Sequence, residues 1–264
     1  MNPWAVEALC TPRCATDAGP RVPLSVTARR YASLATTLLR SVADGERLSG
    51  PATLRRRAEA ALTDLGIRLE RAPCAEPLTA PGPVGTLVVA NHISWLDVVA
   101  LLAVEPELTL LAKREVGTWP VVGALARRIG TRFIDREGLR QLPGVVADLA
   151  DTLRSGRSVV VFPQATTWCT VAGGSFRRAT FQAAINAGAP VRPVTIDYLQ
   201  HGRPSTVAAF LGDEDFGTCL RRVAGARALS VRVTMHRPLA GTDRRTLAAM
   251  AQQAVSGSEL PNHV

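Results

Sequence analysis

Short apolar runs alternate with segments of helical periodicity along most of this chain. The runs that predict strands are 85–90, 108–112, 131–135, 158–162, 191–198 and 229–236. Strands buried on both faces appear as continuous apolar runs, and parallel strands need crossover connections that are usually helices. The pattern therefore predicts an α/β fold with a mostly parallel central sheet flanked by helices.

The chain divides into one folded domain, a helical N-terminal part and two short ends. Its 264 residues are enough for a single buried core. Residues 1–22 predict a flexible tail, 23–66 two amphipathic helices that could face a membrane, 67–257 the α/β domain and 258–264 a second tail.

A histidine and an aspartate stand where the first of these strands gives way to a helix. The segment 91–97 reads Asn-His-Ile-Ser-Trp-Leu-Asp, so His92 follows the strand directly. Ligands of α/β sheets bind at this carboxyl edge. An imidazole can take a proton from a hydroxyl near neutral pH, and a carboxylate on its other nitrogen fixes the tautomer. We predict His92 as a general base that Asp97 orients.

The spacing of these two residues leaves a second interpretation open. On one helix, residues five apart point about 140° from each other, so contact requires His92 in the loop and Asp97 in the first turn. Ser94 and Asp97 form a capping-box pattern that favours this placement. The same pattern allows Asp97 only to cap the helix and His92 only to satisfy the loop.

Three further motifs follow in order along the chain. Phe-Ile-Asp-Arg at 133–136 ends one strand, Phe-Pro-Gln-Ala-Thr at 162–166 ends another, and Pro-Val-Arg-Pro-Val at 190–194 opens a fourth strand. We expect their polar residues to line one cleft. With His-x4-Asp at 92–97, this order resembles the glycerolipid acyltransferase family, which includes the 1-acyl-glycerol-3-phosphate acyltransferases. The resemblance covers about residues 84–200.

The resemblance implies transfer of an acyl chain from a thioester to the free hydroxyl of a lysophospholipid, above all 1-acyl-glycerol 3-phosphate giving phosphatidate. The co-substrate would be acyl-CoA or acyl carrier protein, with no further cofactor. The sequence contains no Gly-x-Ser-x-Gly elbow, so direct attack by the acceptor hydroxyl is expected. The alternatives are another acceptor, such as a lyso-ornithine lipid, and a non-catalytic lipid-binding relative.

Five residues are predicted to bind the substrates. Arg136 matches the arginine of the family's second motif and would hold the acceptor phosphate, since arginine binds phosphate bidentately. Lys113 matches a frequent family lysine, and Arg177 stands at a helix start, where backbone N–H groups favour anions. Gln164 and Thr166 belong to the third motif. Each basic side chain has the alternative of being a solvated surface charge.

The third motif departs from the family pattern, which usually reads Phe-Pro-Glu-Gly-Thr. Gln164 replaces the glutamate and loses its charge, while Ala165 replaces the glycine. If the family uses a positive φ there, we expect alanine to restrict the backbone to negative φ. The sequence favours an acyltransferase with an altered acceptor site over a weakened enzyme.

Charge and composition limit the classes of partner and cofactor. The net charge of +9 favours phosphate headgroups, an acidic carrier protein or an anionic membrane surface. Nucleic acid is not expected, because aromatic residues are only 5% and no recognition signature is present. The cysteines lack a Cys-x-x-Cys pair and the histidines lack metal-ligand spacing, so we expect reduced thiols and no metal.

The sequence predicts a protein that lies on a membrane without crossing it. We find neither a secretory leader nor an apolar run of the roughly 18 residues that a spanning helix needs. The helical segments 24–48 and 52–65 carry arginines beside apolar positions and suit an anionic bilayer surface, or alternatively pack on the sheet. The expected location is cytoplasmic, peripheral at the inner face of the cell membrane.

Overall fold

The computed structural model describes residues 8–15, 19–71, 77–118, 121–134 and 141–257. The helices in these ranges are α1 Leu24–Ala43, α2 Pro51–Asp64, α3 Leu96–Val104, α4 Val122–Arg128, α5 Leu142–Arg154, α6 Ala179–Ala187, α7 Phe216–Gly225 and α8 Arg244–Ser256. Short 3-10 helices span Pro12–Ala15, Gly45–Ser49 and Arg114–Thr118.

The strands form one mixed sheet whose centre is parallel. They are β1 Arg68–Arg71, β2 Leu87–Ala90, β3 Thr109–Lys113, β4 Arg132–Ile134, β5 Val159–Val161, β6 Val191–Gln200, β7 Arg203–Pro204 and β8 Leu229–Met235. Their order is β1-β8-β6-β2-β5-β3-β4, with β7 paired to β6. Only the β6 pairings with β7 and β8 are antiparallel among the described strands. The predicted α/β fold with a mostly parallel sheet is confirmed.

The central strands are buried on both faces, as their apolar sequences require. All four residues of β2 are fully buried, and those of β5 are at most 2% exposed. A parallel sheet needs helices on both faces to exclude water from such strands. The first of these helices, α3, is itself apolar around most of its circumference and buries Leu96, Ala100 and Leu101 completely.

The strand register brings the loops after β2 and β5 together. Val89 lies opposite Val161, so the two strands end side by side. The parallel strand β4 ends at the same edge but three positions from β2, about 14 Å at ordinary strand spacing. The start of β6 lies at the opposite edge, since Val191 pairs with Leu87. The expectation that the 190–194 motif lines the cleft is therefore wrong, and the second half of β6 passes the site instead.

The two N-terminal helices pack directly on the α/β domain. α2 lies on α3 and β1, and α1 lies on α2 and α7. The Arg30 guanidinium donates to the carbonyl oxygens of Ala224 and Ala226, at 2.9 and 2.7 Å, and Arg57 pairs with Asp44 at 2.7 Å. No helix in the described ranges has the length and apolar character needed to cross a membrane.

Candidate active site

His92 and Asp97 meet at the carboxyl end of β2. β2 ends at Ala90 and α3 begins at Leu96, so His92 lies in the connecting loop and Asp97 in the first helical turn. The His92 Nδ1 and Asp97 Oδ2 atoms are 2.8 Å apart. The same Oδ2 accepts the backbone N–H groups of Ile93 and Ser94 at 2.7 and 2.9 Å. The predicted contact is confirmed, and Asp97 also holds the backbone of the loop that leads into α3.

The second oxygen of Asp97 is held by Tyr198, which sequence reasoning missed. The Tyr198 hydroxyl donates to Asp97 Oδ1 at 2.7 Å, and the aspartate is fully buried. Burial, together with the charge of Asp97, raises the pKa of Tyr198 well above its ordinary value, so the hydroxyl stays a proton donor. Each oxygen of the Asp97 carboxylate thus has a hydrogen-bond partner. The loop after β2, helix α3 and strand β6 together fix the orientation of this carboxylate toward His92.

Asn91 joins β2 to β6 and so fixes where Tyr198 stands. Its Nδ2 donates to the carbonyl oxygen of Ile196 at 2.9 Å, and the Ile196 N–H donates to Asn91 Oδ1 at 2.8 Å. Asn91 is fully buried. The amide continues the pairing of the two strands one residue beyond the end of β2, and Tyr198 follows two residues later on the same face of β6.

The imidazole of His92 packs on an aromatic ring with one face, and its Nε2 atom is available to a ligand. Its ring stacks on Phe162, with centroids 4.1 Å apart and planes inclined by 18°. The side chain remains 17% exposed. Within the described part of the chain, Nε2 has no hydrogen-bond partner. A substrate hydroxyl can therefore approach the nitrogen opposite the one that Asp97 holds.

Gln164 ties the loop after β5 to the loop after β2. It is 1% exposed, and its Oε1 accepts the backbone N–H of His92 at 2.7 Å. Its Nε2 donates to the carbonyl oxygens of Gly173 and, at 3.4 Å, Val171. The backbone N–H of Trp168 donates to the carbonyl oxygen of His92 at 2.8 Å. The backbone of His92 is thus held through both its N–H and its carbonyl.

Ala165 adopts the backbone conformation that glycine tolerates best. Its φ is +62°, in the left-handed region. The expectation that alanine restricts this position to negative φ is therefore wrong. The Ala165 N–H donates to the Phe162 carbonyl oxygen at 3.0 Å, and the side chain of the preceding Gln164 is held by His92. A left-handed non-glycine residue costs about 1–2 kcal/mol.

The other predicted substrate-binding residues are placed to different degrees. Thr166 is half-buried in the loop after β5. Arg177 is exposed just before α6, and its backbone N–H donates to the Pro163 carbonyl at 2.9 Å, which keeps it beside that loop. Lys113 is the last residue of β3, but its side chain, like the whole of Arg136, lies outside the described residues.

Cys169, in the loop after β5, is a poor nucleophile. Burial, reinforced by the neighbouring thiol of Cys10, raises the pKa of Cys169 to about 12. The reactive form of a cysteine is the thiolate, which is negligible at neutral pH with such a pKa. Cys169 is therefore not suited to act as the nucleophile of this site.

The sequence of this chain is similar to those of known acyltransferases. The family model described as Acyltransferase matches residues 76–197, which include the site loops after β2 and β5. The chain is 36% identical over 173 residues to the 1-acyl-sn-glycerol-3-phosphate acyltransferase of Neisseria meningitidis, covering 66% of this chain and 65% of that protein. It is 40% identical over 171 residues to the lyso-ornithine lipid O-acyltransferase of Pseudomonas aeruginosa, covering 64% and 66%.

Two further comparisons extend the match. The chain is 31% identical over 202 residues to the lyso-ornithine lipid O-acyltransferase of Brucella abortus, covering 66% of this chain and 74% of that protein. The crystal structure of the 1-acyl-sn-glycerophosphate acyltransferase of Thermotoga maritima has the same fold, with a TM-score of 0.62 and 20% identity over 89% of this chain and 93% of that one. The matched regions span just under two thirds of the Neisseria and Pseudomonas proteins. Because the match to the Brucella protein covers 74% of that protein at 31% identity, the chain belongs to the acyltransferase family.

Proposed function

We propose that this protein transfers an acyl chain from a thioester to the free hydroxyl of a lysophospholipid, with 1-acyl-glycerol 3-phosphate as the acceptor and phosphatidate as the product. The observation that carries the proposal is the arrangement of His92, Asp97 and Tyr198. It places a partly exposed imidazole against a buried, fully hydrogen-bonded carboxylate at the edge of the sheet where ligands bind.

In the proposed reaction, His92 Nε2 takes the proton of the acceptor hydroxyl as its oxygen attacks the thioester carbonyl. Asp97 stabilises the imidazolium that forms. The tetrahedral intermediate then collapses, the carbon–sulfur bond breaks, and the thiolate leaving group receives the proton from His92. A positioned general base of this kind contributes about 10²–10⁴-fold to the rate.

The anchors for the substrates are proposed at the same edge of the sheet. Arg177 is held beside the Gln164 loop, Thr166 lies within it, and Lys113 is the last residue of β3. Arg136 is proposed to hold the phosphate of the acceptor, because arginine binds phosphate bidentately. The donor is proposed to be acyl-CoA or acyl carrier protein.

A lyso-ornithine lipid is the second candidate acceptor. Both the 40% identical and the 31% identical relatives carry that name. This acceptor has no phosphate, so an arginine anchor would contribute less to its binding. In either case the acceptor is a membrane lipid, and we place the protein peripherally at the inner face of the cell membrane.

The proposal is tested by incubating the full chain with acyl-CoA, or with acyl carrier protein loaded with the same acyl group, and a panel of lyso-lipids. Products are identified by mass. We expect acylation of 1-acyl-glycerol 3-phosphate, and a loss of at least about a hundredfold in kcat for His92→Ala, as the size of a base contribution predicts. His201→Asn is the control, since His201 is exposed in the turn after β6 and its positive φ suits asparagine.

The outcomes separate the alternatives. Preference for lyso-ornithine lipid over lysophosphatidate would make lyso-ornithine lipid the acceptor and leave the proposed mechanism unchanged. Retention of more than a tenth of the activity in His92→Ala would exclude His92 as the base. Binding of lyso-lipid without product from any donor would identify a non-catalytic relative.

A further inference from the structure

Three cysteines that are distant in sequence meet beside the proposed active site. Cys10 precedes the N-terminal 3-10 helix, Cys14 lies within it, and Cys169 lies in the loop after β5. The Sγ atoms of all three lie within 4.8 Å of one another. Cys10 and Cys169 are in direct contact, with their Sγ atoms 3.2 Å apart. All three are free thiols.

We propose that Cys10, Cys14 and Cys169 form a binding site for one thiophilic d¹⁰ cation, Zn²⁺ or Cu⁺. This departs from the sequence-based expectation that the chain binds no metal. It also stands apart from the proposed acyl transfer, since none of the three thiols takes part in that reaction.

The spacing of the sulfur atoms fits such an ion. With metal–sulfur bonds of about 2.3 Å, the sulfurs of a tetrahedral zinc site lie about 3.8 Å apart. The distances of 3.2 Å for Cys10–Cys169 and up to 4.8 Å for the other pairs bracket this value. Three residues separate Cys10 from Cys14, a spacing common among zinc-binding cysteine pairs.

The chemistry of the ligand set selects the ion. Coordination releases the proton of each thiol to solvent, since a bound cation deprotonates even a thiol of raised pKa. The resulting thiolates are soft ligands that prefer Zn²⁺ and Cu⁺ to the harder Mg²⁺ or Ca²⁺. Three thiolates complete a trigonal Cu⁺ site, whereas Zn²⁺ takes a solvent molecule as the fourth ligand. The backbone N–H of Cys169 points at Cys10 Sγ, 3.4 Å away, and such a donor orients a thiolate ligand.

The ion would fasten the N-terminal segment to the loop that supports His92. That segment is seated by Ala15, which is 2% exposed. Cys169 directly follows Trp168, whose backbone N–H donates to the carbonyl oxygen of His92. Occupation of the site would therefore restrain the loop that holds the backbone of the proposed base.

The test uses the full chain, reduced and stripped of metal, titrated with Zn²⁺ and Cu⁺ in competition with chromophoric chelators. We expect one ion per chain and a higher melting temperature with metal, because a ligand of the folded state stabilises it. Co²⁺ as a spectroscopic probe should give the intense charge-transfer absorption of thiolate ligation.

Cys14→Ser is the most informative variant, because Cys14 is exposed and its loss spares the core. It should weaken binding at least about a hundredfold, more than the loss of an outer-sphere contact does, and reduce the charge-transfer band. Cys169→Ser should do the same. The control is Cys219→Ala, a buried thiol of α7, which should bind as the wild type does.

Two results would overturn the proposal. One is that the reduced chain takes up neither ion. This holds also if the same protein, exposed to air, forms a Cys10–Cys169 disulfide. The other is uptake that Cys14→Ser and Cys169→Ser leave unchanged, which would place the ion elsewhere.

Discussion

At the scale of single residues, Gln164 connects the two loops of the site through one amide group. Its oxygen accepts from His92, and its nitrogen donates to two carbonyl oxygens of the loop that ends at Gly173. The side chain uses both its donor and its acceptor character, and it is 1% exposed. A carboxylate of the same shape would face those carbonyl oxygens without a proton to donate.

Gln164→Glu should therefore lower both stability and activity. A buried hydrogen-bonding group left unsatisfied costs about 1–3 kcal/mol, and a charged one more. The loss should appear in chemical denaturation and in kcat on every acceptor. Gln253→Glu on the exposed face of α8 is the control, with a change within about 0.5 kcal/mol. A variant as stable and active as the wild type would show that the amide is not needed.

Ala165 stores strain in the same loop. Replacing it with glycine removes the left-handed cost of about 1–2 kcal/mol and adds unfolded-state entropy worth about 0.5–1 kcal/mol. Ala165→Gly should therefore raise the free energy of unfolding by up to about 1.5 kcal/mol. Ala172→Gly, at an exposed loop position without a positive φ, should lower it. Equal changes in the free energy of unfolding for the two substitutions would show that Ala165 is not strained.

At the scale of elements, β6 carries two ionisable side chains in succession on opposite faces. Tyr198 points to Asp97, whereas Asp197 lies opposite Arg232 of β8. Arg232 also pairs with Glu70 at 3.1 Å, so its charge is shared between two carboxylates. Burial raises the pKa of Asp197 to about 6, against the opposing effect of Arg232.

This pKa makes stability depend on pH. Because the folded value exceeds the ordinary 3.8, the folded state binds more protons between about pH 4 and 6, and stability falls as the pH rises through that window. Asp197→Asn should therefore be more stable than the wild type at about pH 8, by about 1–3 kcal/mol, and no more stable at about pH 4.

Chemical denaturation across that pH range checks the difference. The control is Asp151→Asn, since Asp151 is 72% exposed and its pair with Arg154 is a surface pair of little energy. A constant difference between wild type and Asp197→Asn at all pH values would exclude titration of this carboxyl as the cause.

At the scale of the whole molecule, α1 presents apolar and basic side chains together on the surface. Leu24 is 87% exposed, Leu39 71% and Val42 45%, and Arg29 and Arg40 are exposed on the same helix. Arg30 and Arg57 are instead used inside the fold. Such a surface suits the interface of an anionic bilayer.

The protein should bind anionic vesicles more strongly than neutral ones, and salt should weaken this binding because charges are screened beyond about 8 Å at physiological ionic strength. In flotation assays, Arg29→Gln with Arg40→Gln should reduce the anionic preference, and Leu39→Gln should reduce binding to both. Arg245→Gln, an exposed arginine of α8, is the control. Equal binding of the wild type to neutral and anionic vesicles would contradict the electrostatic part of this prediction.

The sequence alone determined the features that depend on local order along the chain. Apolar runs such as 159–161 became buried strands because a fully buried strand needs no polar face. The contact of His92 with Asp97 was also predictable, since a loop residue and a first-turn residue five positions apart are brought together by the helix start itself.

Tertiary structure decided what depends on contacts between distant segments. Tyr198 reaches Asp97 across 101 positions, Gln164 reaches His92 across 72, and Cys10 reaches Cys169 across 159, because strand order sets which loops adjoin. The positive φ of Ala165 was likewise decided by the folded loop, since alanine by itself disfavours this conformation. Local sequence specifies propensity and periodicity, whereas these contacts arise only when the sheet is assembled.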